Sequence, residues 1–270
     1  MNAVMQRTDG VPPRLRVEGV TVRFGGLMAL EDVSFDVPAG QVVGVIGPNG
    51  AGKTTLFNVV CGFVRPAAGT LELDGERLRP VPHRLASQGV ARTLQGLGLF
   101  DGQTVLENVV TGATNRARAG FGSALLALPR ADRDERELRD RARELLTEFR
   151  LNDVADASPA TLPYAVRKRA ALARALMAEP RLLLLDEPAG GLGQDDIDDL
   201  VRVIGSMPTR TGTDCSVMLV EHHVDLVMQV CDALVVLDFG RVIARGTPEE
   251  IRKDERVAEA YLGADVEVES

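Results

Sequence analysis

The chain has 270 residues, a formal net charge of −8 and a hydrophobic fraction of 45%. That length supports one substantial core or two small domains, and the acidic balance argues against binding nucleic acid by electrostatics. No apolar run approaches the roughly 20 residues needed to cross a bilayer, residues 1–16 lack the apolar stretch of a secretory signal, and Cys61, Cys215 and Cys231 lie in apolar surroundings and read as reduced core thiols of a cytosolic protein.

Residues 1–13 are polar, end in Pro12-Pro13 and read as a loose tail. Strand-like segments follow at Leu15-Arg16-Val17, Val20-Thr21-Val22 and Val33-Ser34-Phe35-Asp36-Val37, with Gly25-Gly26 as a turn. Phe24, just before that turn, has two readings: a core aromatic at a strand end, which position alone favours, or a platform for an adenine ring. Val42-Val43-Gly44-Val45-Ile46 reads as a buried strand, and Leu56-Phe57-Asn58-Val59-Val60 as the start of a helix. Between them stands Gly47-Pro48-Asn49-Gly50-Ala51-Gly52-Lys53-Thr54-Thr55, which fits G-x-x-x-x-G-K-[ST] in its required strand–turn–helix context. Glycines there let backbone N–H groups turn inward on phosphate oxygens, and the helix N-terminus adds positive potential. Lys53 is one of only three lysines in the chain and is placed to reach the β- and γ-phosphates, with the Thr54 hydroxyl on Mg²⁺.

Thr70-Leu71-Glu72-Leu73 with Asp74-Gly75 predicts a strand and hairpin turn, and Val90-Ala91-Arg92-Thr93-Leu94 a further strand ending at Gln95, whose side-chain carbonyl is placed to contact Mg²⁺ or a water. Thr104 and Glu107 form a capping-box pattern. Residues 130–150 are densely charged with both signs interspersed, and Leu138, Leu145, Leu146 and Phe149 recur at helical spacing; this reads as a solvated helix face rather than a nucleic-acid arm. Leu182-Leu183-Leu184-Leu185 predicts a strand buried on both faces, ending in Asp186-Glu187 at the end where α/β sheets bind ligands. Asp186 is placed to hold Mg²⁺ through water and Glu187 to orient or deprotonate an attacking water. Ala189-Gly190-Gly191-Leu192-Gly193 reads as a loop before a helix over 194–204. Val217-Met218-Leu219-Val220 closes on Glu221-His222-His223, which makes His222 a γ-phosphate sensor candidate in a P-loop fold. Asp238-Phe239-Gly240 joins a hairpin; it carries no kinase assignment, because the glycine loop is of P-loop type and no His-Arg-Asp loop precedes it. Residues 247–262 predict one capped helix and 263–270 an acidic tail.

Together these parts resemble the nucleotide-binding subunit of an ABC transporter over about 15–262. Phe24 matches the aromatic A-loop, Gly47 to Thr54 the Walker A, Gln95 the Q-loop, Leu182 to Asp186 the Walker B, Glu187 the catalytic glutamate and His222 the switch histidine. The resemblance implies an α/β P-loop NTPase with a RecA-like core, an antiparallel β layer and a helical subdomain inserted at about 104–178, flanked by tails at 1–14 and 263–270. It implies ATP and Mg²⁺ as cofactors. Nucleotide would be held by Phe24, Gly47, Pro48, Asn49, Gly50, Ala51, Gly52, Lys53, Thr54 and Thr55, metal by Thr54, Gln95 and Asp186, and catalysis would fall to Glu187, His222 and Gln95. The implied partners are a second ABC ATPase chain, alike or different, set head to tail; membrane permease chains; and, indirectly, an extracytoplasmic solute-binding protein. Nucleic acid is not among them, and the implied location is the cytoplasmic face of the membrane. Within ABC proteins the chain is most similar to ATP-binding subunits of branched-chain amino acid importers, through Phe24-Gly25-Gly26-Leu27-Met28-Ala29-Leu30, Ala91-Arg92-Thr93-Leu94-Gln95, the insertion at 120–136, Leu162-Pro163-Tyr164 and Leu226-Val227-Met228. Urea and amide importers share that pattern.

The chain departs from the family at the signature, Leu-Pro-Tyr-Gly-Gln in this subfamily, which stands here as Leu162-Pro163-Tyr164-Ala165-Val166. Gly193 also replaces the usual Asp or Asn. A regulatory or scaffold subunit with little turnover is therefore a rival expectation. A soluble ABC ATPase of the DNA-repair or translation type would require a long coiled-coil insertion or two ATPase units, and the chain has neither.

Overall fold

Alternating apolar residues on Leu15-Arg16-Val17 and their neighbours bury one face of a long hairpin. β1 (Leu15–Phe24) and β2 (Leu27–Val37) pair antiparallel across Gly25-Gly26, with Phe24 opposite Leu27. β1 pairs on its other edge with β4 (Ala68–Leu73), which turns back into β5 (Glu76–Leu78), giving a four-stranded sheet in the order β2-β1-β4-β5. The computed structural model describes residues 11–93, 97–113, 129–209 and 214–266.

The second sheet contains β3 (Val42–Ile46), β6 (Val90–Arg92), β7 (Leu182–Asp186), β8 (Ser216–Val220), β9 (Ala233–Asp238) and β10 (Arg241–Gly246), in the order β10-β9-β3-β8-β7-β6. All neighbours are parallel except the β9–β10 hairpin. The central strands are buried along their whole length, as expected when both faces of a parallel sheet are covered. Their alternation divides the interior into two cores. Leu182, Leu184, Met218 and Val220 face α1 (Lys53–Val60) and the antiparallel sheet. Leu183, Leu185, Val217 and Leu219 face α2 (Val105–Thr111), α3 (Pro129–Glu148), α4 (Tyr164–Met177), α5 (Gln194–Ser206) and α6 (Val224–Val230). The helix after β3 thus lies on the face opposite those helices. Crossovers to opposite faces open a crevice at the strand C-termini.

α2 begins with a complete capping box, Thr104 Oγ1 accepting from the Glu107 N–H and Glu107 accepting from the Thr104 N–H. In α3 the charge run is a solvated face: Arg139–Glu135, Arg141–Glu144 and Arg143–Asp140 pair along the helix, while Leu145 and Leu146 are buried beneath. Exposed pairs of this kind contribute only about 0.3–0.5 kcal/mol each, so the helix is held by its apolar face.

Several boundaries differ from the sequence expectation, and those at Arg14, β6, α3 and 247–262 have local causes or consequences. Arg14 is no tail residue: its buried guanidinium pairs with Asp74 and, at 2.8 Å, with Asp214, and two carboxylates offset the cost of desolvating it. β6 stops at Arg92, two residues short of the predicted Leu94, which lies outside the described residues. α3 begins at Pro129, where proline's missing N–H is tolerated in the first turn. The single helix predicted over 247–262 is two, α7 (Pro248–Arg252) and α8 (Glu255–Val266). The break falls at Asp254, whose Oδ1 accepts the Arg256 N–H at 3.0 Å and starts a second helix that runs on into the residues expected to be a tail.

Candidate functional site

The C-terminal ends of β3, β8 and β7 lie side by side, with Val45 opposite Val220 and Val220 opposite Asp186. The loop that follows β3 at Gly47 and the pair Asp186-Glu187 at the end of β7, far apart in sequence, therefore lie along one edge of the sheet.

After β3 the chain wraps into α1 through glycines that no other residue replaces. Gly47 has φ 149°, and a Cβ there would lie 2.0 Å from the Leu237 carbonyl oxygen. Gly52, the N-cap of α1, has φ 101°, and its Cβ would lie 2.7 Å from the Ala29 carbonyl oxygen. This tight passage leaves the N-terminus of α1 without a side-chain cap. Pro48 and Ala51 are buried, whereas Asn49, Gly50 and Thr54 are exposed and Thr55 half-buried. Lys53 is buried, and its Nζ donates to the Gly47 carbonyl at 2.7 Å and the Pro48 carbonyl at 2.8 Å. Burial holds its pKa below the ordinary lysine value, opposed by the nearby Glu187 charge.

Asp186 ends β7 with its side chain 1% exposed. Its Oδ2 accepts from Arg92 Nη2 at 2.7 Å, while the buried Oδ1 has no hydrogen-bond partner. Arg92 also donates to Asn58 Oδ1 of α1 at 3.2 Å and lies 5.7 Å from the centre of the Phe63 ring, so one guanidinium ties α1 to the end of β7. A buried carboxylate oxygen left unpaired costs free energy unless a partner arrives. That oxygen, the inward-turned glycine loop and the uncapped helix together fit a phosphate chain with its Mg²⁺ ion.

Glu187 has a left-handed φ of 47°, and its N–H donates to the Val220 carbonyl at 2.9 Å. It borders a cavity of about 210 Å³ shared with Asp186, Thr93, Tyr164, Lys168 and Gly190. His222 follows β8 with an exposed ring, 3.8 Å through Nδ1 from Glu221 Oε2, its centre 4.7 Å from that of the His223 ring and tilted 33° to it. Glu221, His222 and His223 bring their ligand atoms within 4.8 Å of one another. The Glu221 carboxylate is already engaged with backbone amides of Ala189, His222 and His223, which makes it a loop organiser rather than an ion ligand.

Phe24 is 51% exposed at the turn between β1 and β2. This removes the reading of Phe24 as a core aromatic and leaves a ring face available. Gln95 lies outside the described residues; just beyond it, Arg174 of α4 donates to the Leu97 and Gly98 carbonyls and anchors the loop to the signature helix. Tyr164 and Ala165 open α4, which has Pro163 as N-cap and no side-chain cap. Tyr164 is exposed, Ala165 half-buried, and Val166 packs against the larger core. Sequence reasoning singled out none of Arg92, Lys168 or Glu221 as a site residue. Each is a charged residue inside or beside an apolar segment, and that is the only signal the sequence offered.

Comparison with known proteins agrees with this geometry. Residues 30–190 match the ABC transporter family model, and residues 241–267 match the model of the branched-chain amino acid ATP-binding cassette transporter. The chain is 42% identical over 252 residues to the high-affinity branched-chain amino acid transport ATP-binding protein BraF of Pseudomonas aeruginosa, covering 93% of this chain and 98% of that one. It is 38% identical to the LivG protein of Escherichia coli over the same shares. The solved ADP conformation of MJ1267, an ATP-binding cassette of an ABC transporter, superposes with a TM-score of 0.78 at 29% identity, over 92% of this chain and 98% of that one. The expected α/β cassette fold is borne out, and the chain belongs to the ABC transporter family as one of its ATP-binding, ATP-hydrolysing subunits.

Proposed function

We propose that the chain binds ATP with Mg²⁺, hydrolyses it at the interface of a head-to-tail pair of cassettes, and powers uptake of branched-chain amino acids through a membrane permease. The observation that carries the substrate class is the 42% identity to BraF along nearly the whole chain. The permease, the second cassette, an extracytoplasmic solute-binding protein and a position on the cytoplasmic face belong to the same reading. Among the described residues no helix is long and apolar enough to cross a membrane.

In this reading Phe24 stacks on adenine, the amides of residues 47–55 receive the phosphates, and Lys53 supplies their cation. Mg²⁺, when bound, neutralises charge on the phosphate oxygens; Thr54, Gln95 and the unpaired Oδ1 of Asp186 would hold it. Glu187 orients the attacking water and accepts its proton, and His222 contacts the γ-phosphate. The test is reconstitution into vesicles with the permease, cassette and binding protein of neighbouring genes. The expected result is ATP-dependent leucine uptake that Glu187→Gln abolishes while ATP binding persists. Uptake of urea or a short amide in place of leucine would overturn the substrate.

A second reading, a clamp with little turnover of its own, is supported by Ala165 and Val166 in the signature. Both readings are reconciled by an asymmetric pair. ATP held by this chain's phosphate loop meets the partner's signature and turns over, whereas ATP held by the partner meets Ala165 and Val166 and turns over slowly.

A further inference from the structure

The loop that carries Glu187 is held by two charges from different parts of the fold, the half-buried Lys168 and the buried Glu221. Lys168, one turn after Tyr164 on α4, directs Nζ to the carbonyl oxygens of Pro188 at 2.6 Å, Gly190 at 2.5 Å and Glu187 at 3.4 Å. Its ammonium also lies 5.2 Å from the centre of the Tyr164 ring. The Tyr164 ring in turn covers Gly191, where a Cβ would approach it to 3.1 Å at a φ of 74°. Glu221, at the end of β8, is buried; its Oε1 accepts the Ala189 N–H at 2.6 Å, and its Oε2 accepts the His222 and His223 N–H groups at 2.9 and 3.1 Å. A cation thus gathers the carbonyls of the turn and a carboxylate gathers its amide, with Glu187 held left-handed between them.

A non-glycine residue in that conformation persists only where its surroundings over-determine it. Here the Glu187 N–H is fixed by Val220, its carbonyl by Lys168 and the residue two positions on by Glu221. The same two side chains reach the signature helix on one side and the His222 segment on the other.

We propose that Lys168 and Glu221 are positioning residues that couple α4 to Glu187 and His222, so that seating of the signature helix against a partner cassette sets the place of the catalytic carboxylate in the same chain. This deepens the hydrolytic reading and rests on it for the role of Glu187. Removal of the Lys168 cation frees three carbonyls and one strained turn without touching the phosphate loop. The coupling therefore acts on turnover and not on ATP affinity.

The test uses the full chain with its partner cassette, as Lys168→Met, Lys168→Arg, Glu221→Gln and Glu187→Gln. Misplacing a catalytic group by about 1 Å costs up to roughly 10²-fold, so Lys168→Met and Glu221→Gln are expected to lower kcat by ten- to a hundredfold, with the KM for ATP changed less than about threefold. Lys168→Arg, which keeps the cation, recovers most of the loss. Amide exchange in the nucleotide-free chain gives a readout independent of turnover: exchange across 187–193 and 221–224 quickens about tenfold in Lys168→Met, while exchange in β3 and β7 is unchanged. The coupling is overturned if Lys168→Met leaves both kcat and loop exchange at parental values, or if Lys168→Arg loses as much kcat as Lys168→Met. If Glu187→Gln turns over like the parent while loop exchange still depends on Lys168, the water-activating role of Glu187 fails and the hold of Lys168 on the loop stands.

Discussion

Helices α2 and α7 begin differently from α1 and α4. Thr104–Glu107 and Thr247–Glu250 form complete capping boxes, so the first N–H groups of α2 and α7 are satisfied by the chain itself. α1 starts at Gly52 and α4 at Pro163, neither with a side-chain cap. In α1 a capping side chain is ruled out sterically, because a Cβ at Gly52 would meet the Ala29 carbonyl oxygen and Leu30. α4 instead opens on an exposed turn, Pro163-Tyr164, with no side-chain hydrogen bond at its N-cap. α2 and α7 thus close their own ends, whereas in the proposed reading α1 and α4 keep donors in reserve for an anion; α5, also without a side-chain cap, carries Asp195 and Asp196 in its first turn. α6 also lacks a side-chain cap: Glu221 accepts the N–H groups of His222 and of the N-cap His223, just ahead of its first turn.

The largest effect expected from breaking this contrast is at α1. Lys53→Ala removes the one lysine of the phosphate cradle, and ATP binding measured by fluorescence titration is expected to fall below detection. Retained affinity would mean that the α1 amides alone hold the phosphates. At α4, the pair Ala165→Gly and Val166→Gln restores the subfamily signature. Loss of one well-placed donor costs on the order of 10²–10³ in rate; Ala165 keeps its N–H, so the expected gain is smaller, about tenfold or more in phosphate release by the chain alone. A double variant no faster than the parent would show that the departures are tolerated.

Phe24→Ala tests the exposed ring at the β1–β2 turn. Stacking of a base on an aromatic is worth about 1–3 kcal/mol, so ATP affinity is expected to fall roughly five- to 150-fold. Because Phe24 is exposed, the melting temperature of the nucleotide-free chain should hold. Unchanged affinity would return Phe24 to a surface residue without a ligand. The smallest effects exchange the two kinds of helix start. Thr104→Ala is expected to cost about 1 kcal/mol of stability with no change in ATP affinity, and Pro163→Asp, which gives α4 the cap it lacks, to add up to about 1 kcal/mol while slowing turnover in the pair. Denaturant unfolding and phosphate release read both. A Pro163→Asp chain that gains stability and keeps its turnover would show that the α4 amides are not needed for phosphate.

Much of this was legible from local pattern. The four-leucine run became a strand buried on both faces, Thr104 and Glu107 became a capping box, and glycines 47 and 52 sit where a Cβ would collide with backbone. These follow from residues within a few positions of one another, for which period and spacing are sufficient evidence. The helix over 247–262 failed for a related reason: Asp254 is one charge among many in a polar stretch, and whether it caps a second helix depends on where α8 packs.

The sequence by itself determined the order of the chemistry: a glycine turn with its lysine, a carboxylate pair closing an apolar strand, a histidine closing the next, and a signature that departs at Ala165 and Val166. Tertiary structure decided which of those groups is available. It turned Phe24 outward, engaged one oxygen of Asp186 with Arg92 from 94 residues away and left the other unpaired, and set Lys168 and Glu221 around the turn of Glu187. The physical reason is that a side chain's hydrogen-bond partner is settled by which strand ends and helices the packed sheet brings together. No spacing along one segment encodes that choice, because the acceptors belong to another.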